Sequence, residues 1–232
     1  KEANIATASL PQQCRPAVKE LLKEIYGYTD FRDFEVYNDL SSGKGKLKIS
    51  QGQLIEEVIE ESEKSMKTDD SVYNLLLTAP TGAGKSLLFQ LPAIYLGQAY
   101  QLLTIVISPL KALIVDQVEN LRDLGYERVS YASSDLSPEE KNEAYRQVRE
   151  GETDLFYLSP ELLLAYDIKH FIGDRRIGLI VVDEAHTVTT WGKEFRVDYW
   201  FLGRHLENLK KNQGYTFPVF ALTATAVWNR GE

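Results

Sequence analysis

The sequence predicts an α/β protein: a mainly parallel sheet with helices on both faces, preceded by a mostly helical amino-terminal extension. Three observations carry that expectation. From residue 72 onward, short runs rich in β-branched residues recur, and several, such as Ile180-Val181-Val182, are apolar without alternation, as strands buried on both faces are. Helix-length segments separate these runs, so successive strands are joined by crossovers rather than hairpins. The chain has 232 residues, 44% hydrophobic and 26% charged, an ordinary globular mixture long enough to bury roughly 70 to 75% of its unfolded surface.

The elements follow in order. A helix is expected at 17–25, then a turn-rich stretch, Ser41-Ser42-Gly43-Lys44-Gly45, then a second helix at 51–65. On that second helix Leu54, Ile55, Val58 and Ile59 share one face, and Glu56, Glu57, Glu60, Glu61 and Glu63 lie mostly opposite, which reads as a solvated face. Strands are expected at 72–78, 102–108, 129–132, 155–158, 177–182 and 219–222, with helices at 85–98, 110–124, 138–150 and 199–211. The helix at 138 carries a complete start signal: Ser137 as N-cap, Pro138 at the first helical position and Glu140 closing a capping box.

Composition excludes several classes. With 26 Lys plus Arg against 34 Asp plus Glu, the net charge of −8 disfavours a strongly basic nucleic-acid binder on bulk charge. A single cysteine, Cys14, can form neither an internal disulfide nor a multi-cysteine zinc site and reads as structural, in a reducing compartment. His170 and His205 have no partners at metal-ligand spacing. No apolar run nears the roughly 20 residues that span a bilayer, and no signal-peptide pattern is present, so a soluble protein is expected. Lys1 in place of Met points to a processed or truncated chain.

Ala79-Pro80-Thr81-Gly82-Ala83-Gly84-Lys85-Ser86 follows an apolar strand and opens a helix, the setting a phosphate-binding loop requires. Thr81, Gly82, Ala83 and Gly84 supply backbone N–H groups converging on phosphate oxygens at a helix N-terminus, Lys85 supplies a cation for the β and γ phosphates, and Ser86 can ligate Mg²⁺. The general pattern opens with Gly, where this chain has Ala79. A second strand ends in Asp183-Glu184-Ala185-His186, which places Asp183 to hold Mg²⁺ and Glu184 to orient or deprotonate the attacking water.

With Ala221-Leu222-Thr223-Ala224-Thr225-Ala226 completing the set, these stretches resemble motifs I, II and III of superfamily 2 helicases. The segment at 108–118, Ser108-Pro109-Leu110-Lys111 onward, resembles motif Ia of the RecQ-like DNA helicases, and Tyr157-Leu158-Ser159-Pro160-Glu161 resembles their next motif, near the nucleic-acid backbone. The run at 186–199 resembles the aromatic-rich RecQ loop after motif II. There Trp191 and Phe195 offer flat faces to bases while Lys193 and Arg196 meet phosphates; the family usually has His at the position of Lys193. His186 lies in motif II, where the family links its nucleotide and nucleic-acid sides. Tyr26-Gly27-Tyr28-Thr29-Asp30-Phe31-Arg32 resembles the start of RecQ motif 0, which recognises adenine, with Tyr28 stacking on the base and Arg32 nearby. The family's adenine-reading Gln follows Arg after two residues, but Glu35 stands there. An insertion at about 33–50 would make Gln51 the reader, with Gln53 as the alternative, and a second at about 63–71 lengthens the loop before the phosphate-loop strand.

The resemblance implies a RecA-like P-loop NTPase domain at 71–232, with a motif 0 extension at 1–70 packed on it. It also implies an ATP-dependent, 3′ to 5′ DNA helicase using ATP and Mg²⁺ on single-stranded or partially duplex DNA. Nucleic-acid contacts or coupling fall to Ser108, Lys111, Ser159, Trp191, Lys193, Phe195, Arg196, Thr223 and Thr225. The motifs stop at motif III, so the second RecA-like domain and its arginine finger are not among these residues, and the 232 residues alone are expected to hydrolyse ATP feebly. The protein is expected to be monomeric, off the membrane, and cytoplasmic or nucleoid-associated, or nuclear in a eukaryote. Another superfamily 2 motor, an RNA helicase or duplex translocase, and a nucleotide-dependent scaffold remain as alternative readings.

Overall fold

The computed structural model of the chain describes residues 11, 13–39, 44–67, 72–78, 82, 84–184 and 192–223. Helix α1 (Pro16–Tyr26) leads to a hairpin of β1 (Asp33–Asp39) and β2 (Lys44–Ser50), then α2 (Gln51–Lys64). The main domain runs β3 (Leu75–Thr78), α3 (Leu87–Tyr100), β4 (Leu103–Ile107), α4 (Lys111–Asp123), β5 (Val129–Ala132), α5 (Pro138–Arg149) and β6 (Leu155–Leu158). It continues through two short helices, α6 (Pro160–Ala165) and α7 (Ile168–Ile172), to β7 (Ile177–Val182), α8 (Gly192–Gln213) and β8 (Val219–Thr223).

Six strands form one parallel sheet in the order β3-β8-β7-β4-β6-β5. Because side chains alternate along a strand, the unbroken apolar runs of β4, β6 and β7 feed two cores. Tyr157 and Val181 join Leu88, Phe89 and Ile94 on the face covered by α1 to α4. Phe156, Leu158 and Ile180 join Phe171, Leu206 and Phe217 on the face covered by α5 to α8. This is the doubly covered parallel sheet that the runs predict. Helix α3 is buried almost all round, which explains why its sequence carries so few polar residues.

Two features depart from the sequence expectation. The inferred insertion at 33–50 is an antiparallel hairpin, in register from Asp33↔Ser50 to Asp39↔Lys44, with Glu35 opposite Lys48. The alternation Leu47-Lys48-Ile49 is its sequence trace. The acidic face of α2 is not solvated. Glu56 and Glu61 are 5% and 1% exposed. Helix α2 packs on α3 beside α1, so its second face is covered as well. Buried carboxylates need partners. Glu56 accepts from the backbone N–H and guanidinium of Arg15 at 2.8 and 2.7 Å, Glu63 accepts from Arg15 at 2.6 Å, and Glu61 accepts from Lys64 and from the Tyr73 N–H. Cys14 lies in the same core, and burial pushes its thiol up to about 12, as a structural cysteine requires.

Candidate functional site

The described residues of the phosphate loop and the acidic pair lie just past the carboxyl ends of β3 and β7 and at the start of α3. In open α/β sheets ligands bind at that edge. Gly82 and Gly84 sit at φ of 81° and 77°, left-handed values that only glycine adopts without strain, so the loop can turn its N–H groups inward. Lys85 follows immediately, is 9% exposed, and its Nζ makes no hydrogen bond among the described residues. It faces Glu184 Oε1 at 3.8 Å. A buried ammonium with no hydrogen-bond acceptor is costly to hold, which fits a group whose partner is an incoming anion.

Strand β8 lies between β3 and β7, pairing Thr78 with Thr223 and Val182 with Ala221. That spacing sets Asp183 across one strand from the phosphate loop. Asp183 is 4% exposed; its backbone N–H donates to Ile107 O at 2.9 Å, and its Oδ1 accepts from the Glu184 N–H at 2.9 Å. Burial, then the charge of Glu184, push its carboxyl up from 3.8 to about 6, against the opposing pull of that N–H and of Lys85. Glu184 is one of two non-glycine residues at positive φ among the described residues, at 52°, so backbone strain accompanies the acidic pair. Ser86 precedes α3, its Oγ accepting from Gln117 Nε2 at 2.8 Å. Among the described residues no cluster of three acids, histidines or cysteines forms a self-sufficient metal cage. Mg²⁺ does not need one. It keeps waters and takes one or two protein ligands plus phosphate oxygens, and Ser86 with Asp183 provide that donor set.

The hairpin brings Arg32 and Gln51 together across the 33–50 segment. Its base closes where Gln51 N donates to Arg32 O at 2.8 Å and Arg32 N donates to Gln51 Oε1 at 3.1 Å. Gln51 is 2% exposed, and its Nε2 lies so near Gly84 that a Cβ on that glycine would come within 2.8 Å. Gln53 is used elsewhere: its Oε1 accepts from Ser50 N in a capping box and its Nε2 donates to Pro11 O. Of the two glutamines, Gln51 is therefore the one brought to the phosphate loop. Tyr28, ahead of that junction, is 52% exposed, and Arg32, which forms it, is exposed.

The remaining candidates divide. Ser108 and Ser159 end the neighbouring strands β4 and β6, are 2% and 0% exposed, and their hydroxyls have no partner among the described residues. Lys111 opens α4 and pairs with exposed Asp135 at 2.6 Å, a surface contact worth little. Lys193, Phe195 and Arg196 fall in the first turns of α8. Thr81, Ala83, His186, Trp191 and Thr225 lie outside the described residues. His170 stacks on Tyr166 with ring centroids 4.8 Å apart, and so serves packing.

Four residues assigned no site role of their own from sequence, Tyr26, Gln90, Gln117 and Tyr157, connect to Ser86. Gln90 Nε2 donates to Gln117 Oε1 at 2.6 Å and Tyr157 Oη at 3.1 Å, and Tyr26 Oη donates to Gln90 Oε1 at 2.9 Å. The available signal was Gln90 itself, a lone amide in the otherwise apolar run LLFQLPAI.

A glycine-turned phosphate loop and an acidic pair one strand apart, on a doubly covered parallel sheet, define a P-loop NTPase domain. The chain belongs to the DEAD/DEAH box helicase family, whose model matches residues 50–230. It is 34% identical over 214 residues to the ATP-dependent DNA helicase RecQ of Synechocystis sp., a match covering 91% of this chain and 38% of that protein. It is 39% identical over 158 residues to the ATP-dependent helicase SGS1 of Saccharomyces cerevisiae, covering 66% of this chain and 10% of that protein. It is 32% identical over 212 residues to the RecQ helicase of Haemophilus influenzae, covering 91% and 28%. The chain thus spans well under half the length of these relatives. Its fold matches the UvsW helicase of bacteriophage T4 at a TM-score of 0.51 and 17% identity, covering 93% of this chain and 62% of that one. No helix among the described residues is long and apolar enough to cross a membrane.

Proposed function

We propose that this chain is the ATP-binding half of a RecQ-like DNA helicase. The observation that carries the reading is the Lys85 ammonium, buried without a hydrogen-bond acceptor among the described residues, between two positive-φ glycines and the Asp183–Glu184 pair. In this reading Lys85 and the loop N–H groups, including those of Thr81, Gly82, Ala83 and Gly84, bind the β and γ phosphates, and Ser86 and Asp183 hold Mg²⁺. Bound there, the ion supplies charge neutralisation between phosphate oxygens. Glu184 orients the attacking water and accepts its proton, with Lys85 3.8 Å away. Tyr28 stacks on adenine beside Arg32, and the Gln51 amide donates and accepts at the base edge, which a carboxylate at that position could not do.

The division into an extension at 1–70 and a catalytic domain at 71–232 belongs to the same proposal. So does a DNA track along Ser108, Lys111, Ser159, Trp191, Lys193, Phe195, Arg196, Thr223 and Thr225, coupled to the acids through His186 and completed by a second RecA-like domain. Single-stranded DNA would be followed 3′ to 5′. The overall charge of −8 is compatible with this, since only a local edge meets the phosphates.

Titration of the 232-residue chain with a fluorescent ATP analogue and Mg²⁺ tests the nucleotide site. Lys85→Ala should weaken binding at least about tenfold, the value of one charge-assisted contact of about 1.4 kcal/mol or more. Equal affinity would reject the site. In the full-length protein, Trp191→Ala with Phe195→Ala should cut DNA-stimulated ATPase, whereas stimulation by RNA alone would reject the DNA assignment.

A further inference from the structure

Ser86 is held from outside its own loop. A serine hydroxyl has one proton and two lone pairs, so a residue that fixes its rotamer decides which lone pair faces the phosphate site. Gln117, on the inner face of α4, makes that contact: its Nε2 lies 2.8 Å from Ser86 Oγ. The Gln117 amide is itself clamped, because its Oε1 accepts from Gln90 Nε2 at 2.6 Å. Gln90 is clamped in turn by Tyr157 Oη at 3.1 Å and Tyr26 Oη at 2.9 Å. Gln90 and Tyr157 are 5% and 1% exposed, so breaking a bond to either removes a partner from a buried polar group. Turning both amides over together reverses every donor and acceptor yet keeps Gln117 bonded to Ser86. The link therefore does not depend on one proton arrangement.

We infer that Gln117 is a positioning residue for the Ser86 hydroxyl, tying the phosphate loop to the placement of α4 and, through Gln90, to the end of α1. This rests on the proposed nucleotide site and deepens it. Two contacts that sequence separates by 31 and 27 residues become one rigid relay. Tyr26 lies two residues before Tyr28, and α4 opens at Lys111, so the relay spans the adenine, phosphate and proposed DNA sides.

The test is a double-mutant cycle on the 232-residue chain, read as affinity for ATP with Mg²⁺ and with a chelator, alongside thermal midpoints. Gln117→Leu should weaken Mg²⁺-dependent binding about three- to tenfold, the worth of one part-buried hydrogen bond. Binding without Mg²⁺ should stay within about twofold of wild type, because the glycine loop and Lys85 are untouched. Added to Ser86→Ala, Gln117→Leu should cost nothing further. Equal losses with and without Mg²⁺, or a full additional loss in the Ser86→Ala background, overturn the inference. Gln117→Glu keeps length and an acceptor and guards against misfolding of the leucine variant. It should shift the Mg²⁺ concentration at half-saturation, and an unchanged value also counts against the role. If Ser86→Ala and Lys85→Ala themselves bind like wild type, the nucleotide-site reading has failed. If they lose binding and Gln117→Leu does not, only the relay has failed.

Discussion

The charge carried by Asp183 should make this domain less stable near neutral pH than its packing alone would allow, and Asp183→Asn should recover the difference. The carboxyl is 4% exposed beside Glu184 and is pushed from 3.8 to about 6. Between those values the native state holds a proton that the unfolded chain has released. Stability therefore falls as pH rises through that window, and the penalty is complete above about pH 6. A gap of this size corresponds to about 3 kcal/mol. Asparagine removes the charge yet keeps an oxygen for the Glu184 N–H, so most of that difference should return. For a chain of 232 residues this means roughly 6 to 12 °C in thermal midpoint at about pH 8 without divalent cations, fading toward zero at about pH 4. Comparing wild type and variant at each pH cancels the other titrating groups. The same variant should lose Mg²⁺-dependent ATP binding, since a site that holds a cation needs the charge that the empty fold resists. An Asp183→Asn protein no more stable than wild type at pH 8, or one whose advantage persists unchanged at pH 4, would refute the reasoning.

Other perturbations follow from single contacts. Gln51→Glu keeps the acceptor for Arg32 N but loses the amide donor beside Gly84, so ATP affinity should drop about tenfold in the same titration. Gln53→Ala should instead cost about 1 kcal/mol of stability by chemical denaturation, from the lost capping box, with ATP affinity unchanged. Gly97→Ala places a Cβ 2.4 Å from Asp154 Cγ, a fully buried carboxylate held by Arg128 and Tyr126. Overpacking against that pair should cost about 2 kcal/mol or more, and a neutral effect on the denaturation midpoint would show that Asp154 can move aside.

The parts of this protein written in local pattern could be read without coordinates. Positions 155–158 and 177–182 were legible as strands because β-branched and aromatic runs leave no polar face. The capping box at Ser137 forms as its spacing requires. The helix at 199–211 begins earlier, at Gly192, in a stretch of aromatic and charged residues without a clean apolar period. The hairpin at 33–50 was visible only as an insertion, since its turn residues mark a break but not what flanks it.

What the sequence by itself determined is the chemistry along one edge of the sheet. A phosphate loop needs consecutive residues after a strand, and so does an acidic pair, so both are short-range information. Tertiary structure decided which distant groups meet them. Gln51 rather than Gln53 reaches Gly84 because the hairpin closes on Arg32, bringing together residues 19 apart. Glu56 and Glu61, which an isolated helix would leave in water, are buried because α2 packs against α3, and Arg15 and Lys64 supply the opposite charges. Gln117 reaches Ser86 only because α4 is laid beside the phosphate loop. Partners of that kind are set by packing between elements, and one element's sequence holds no record of which neighbour will lie against it.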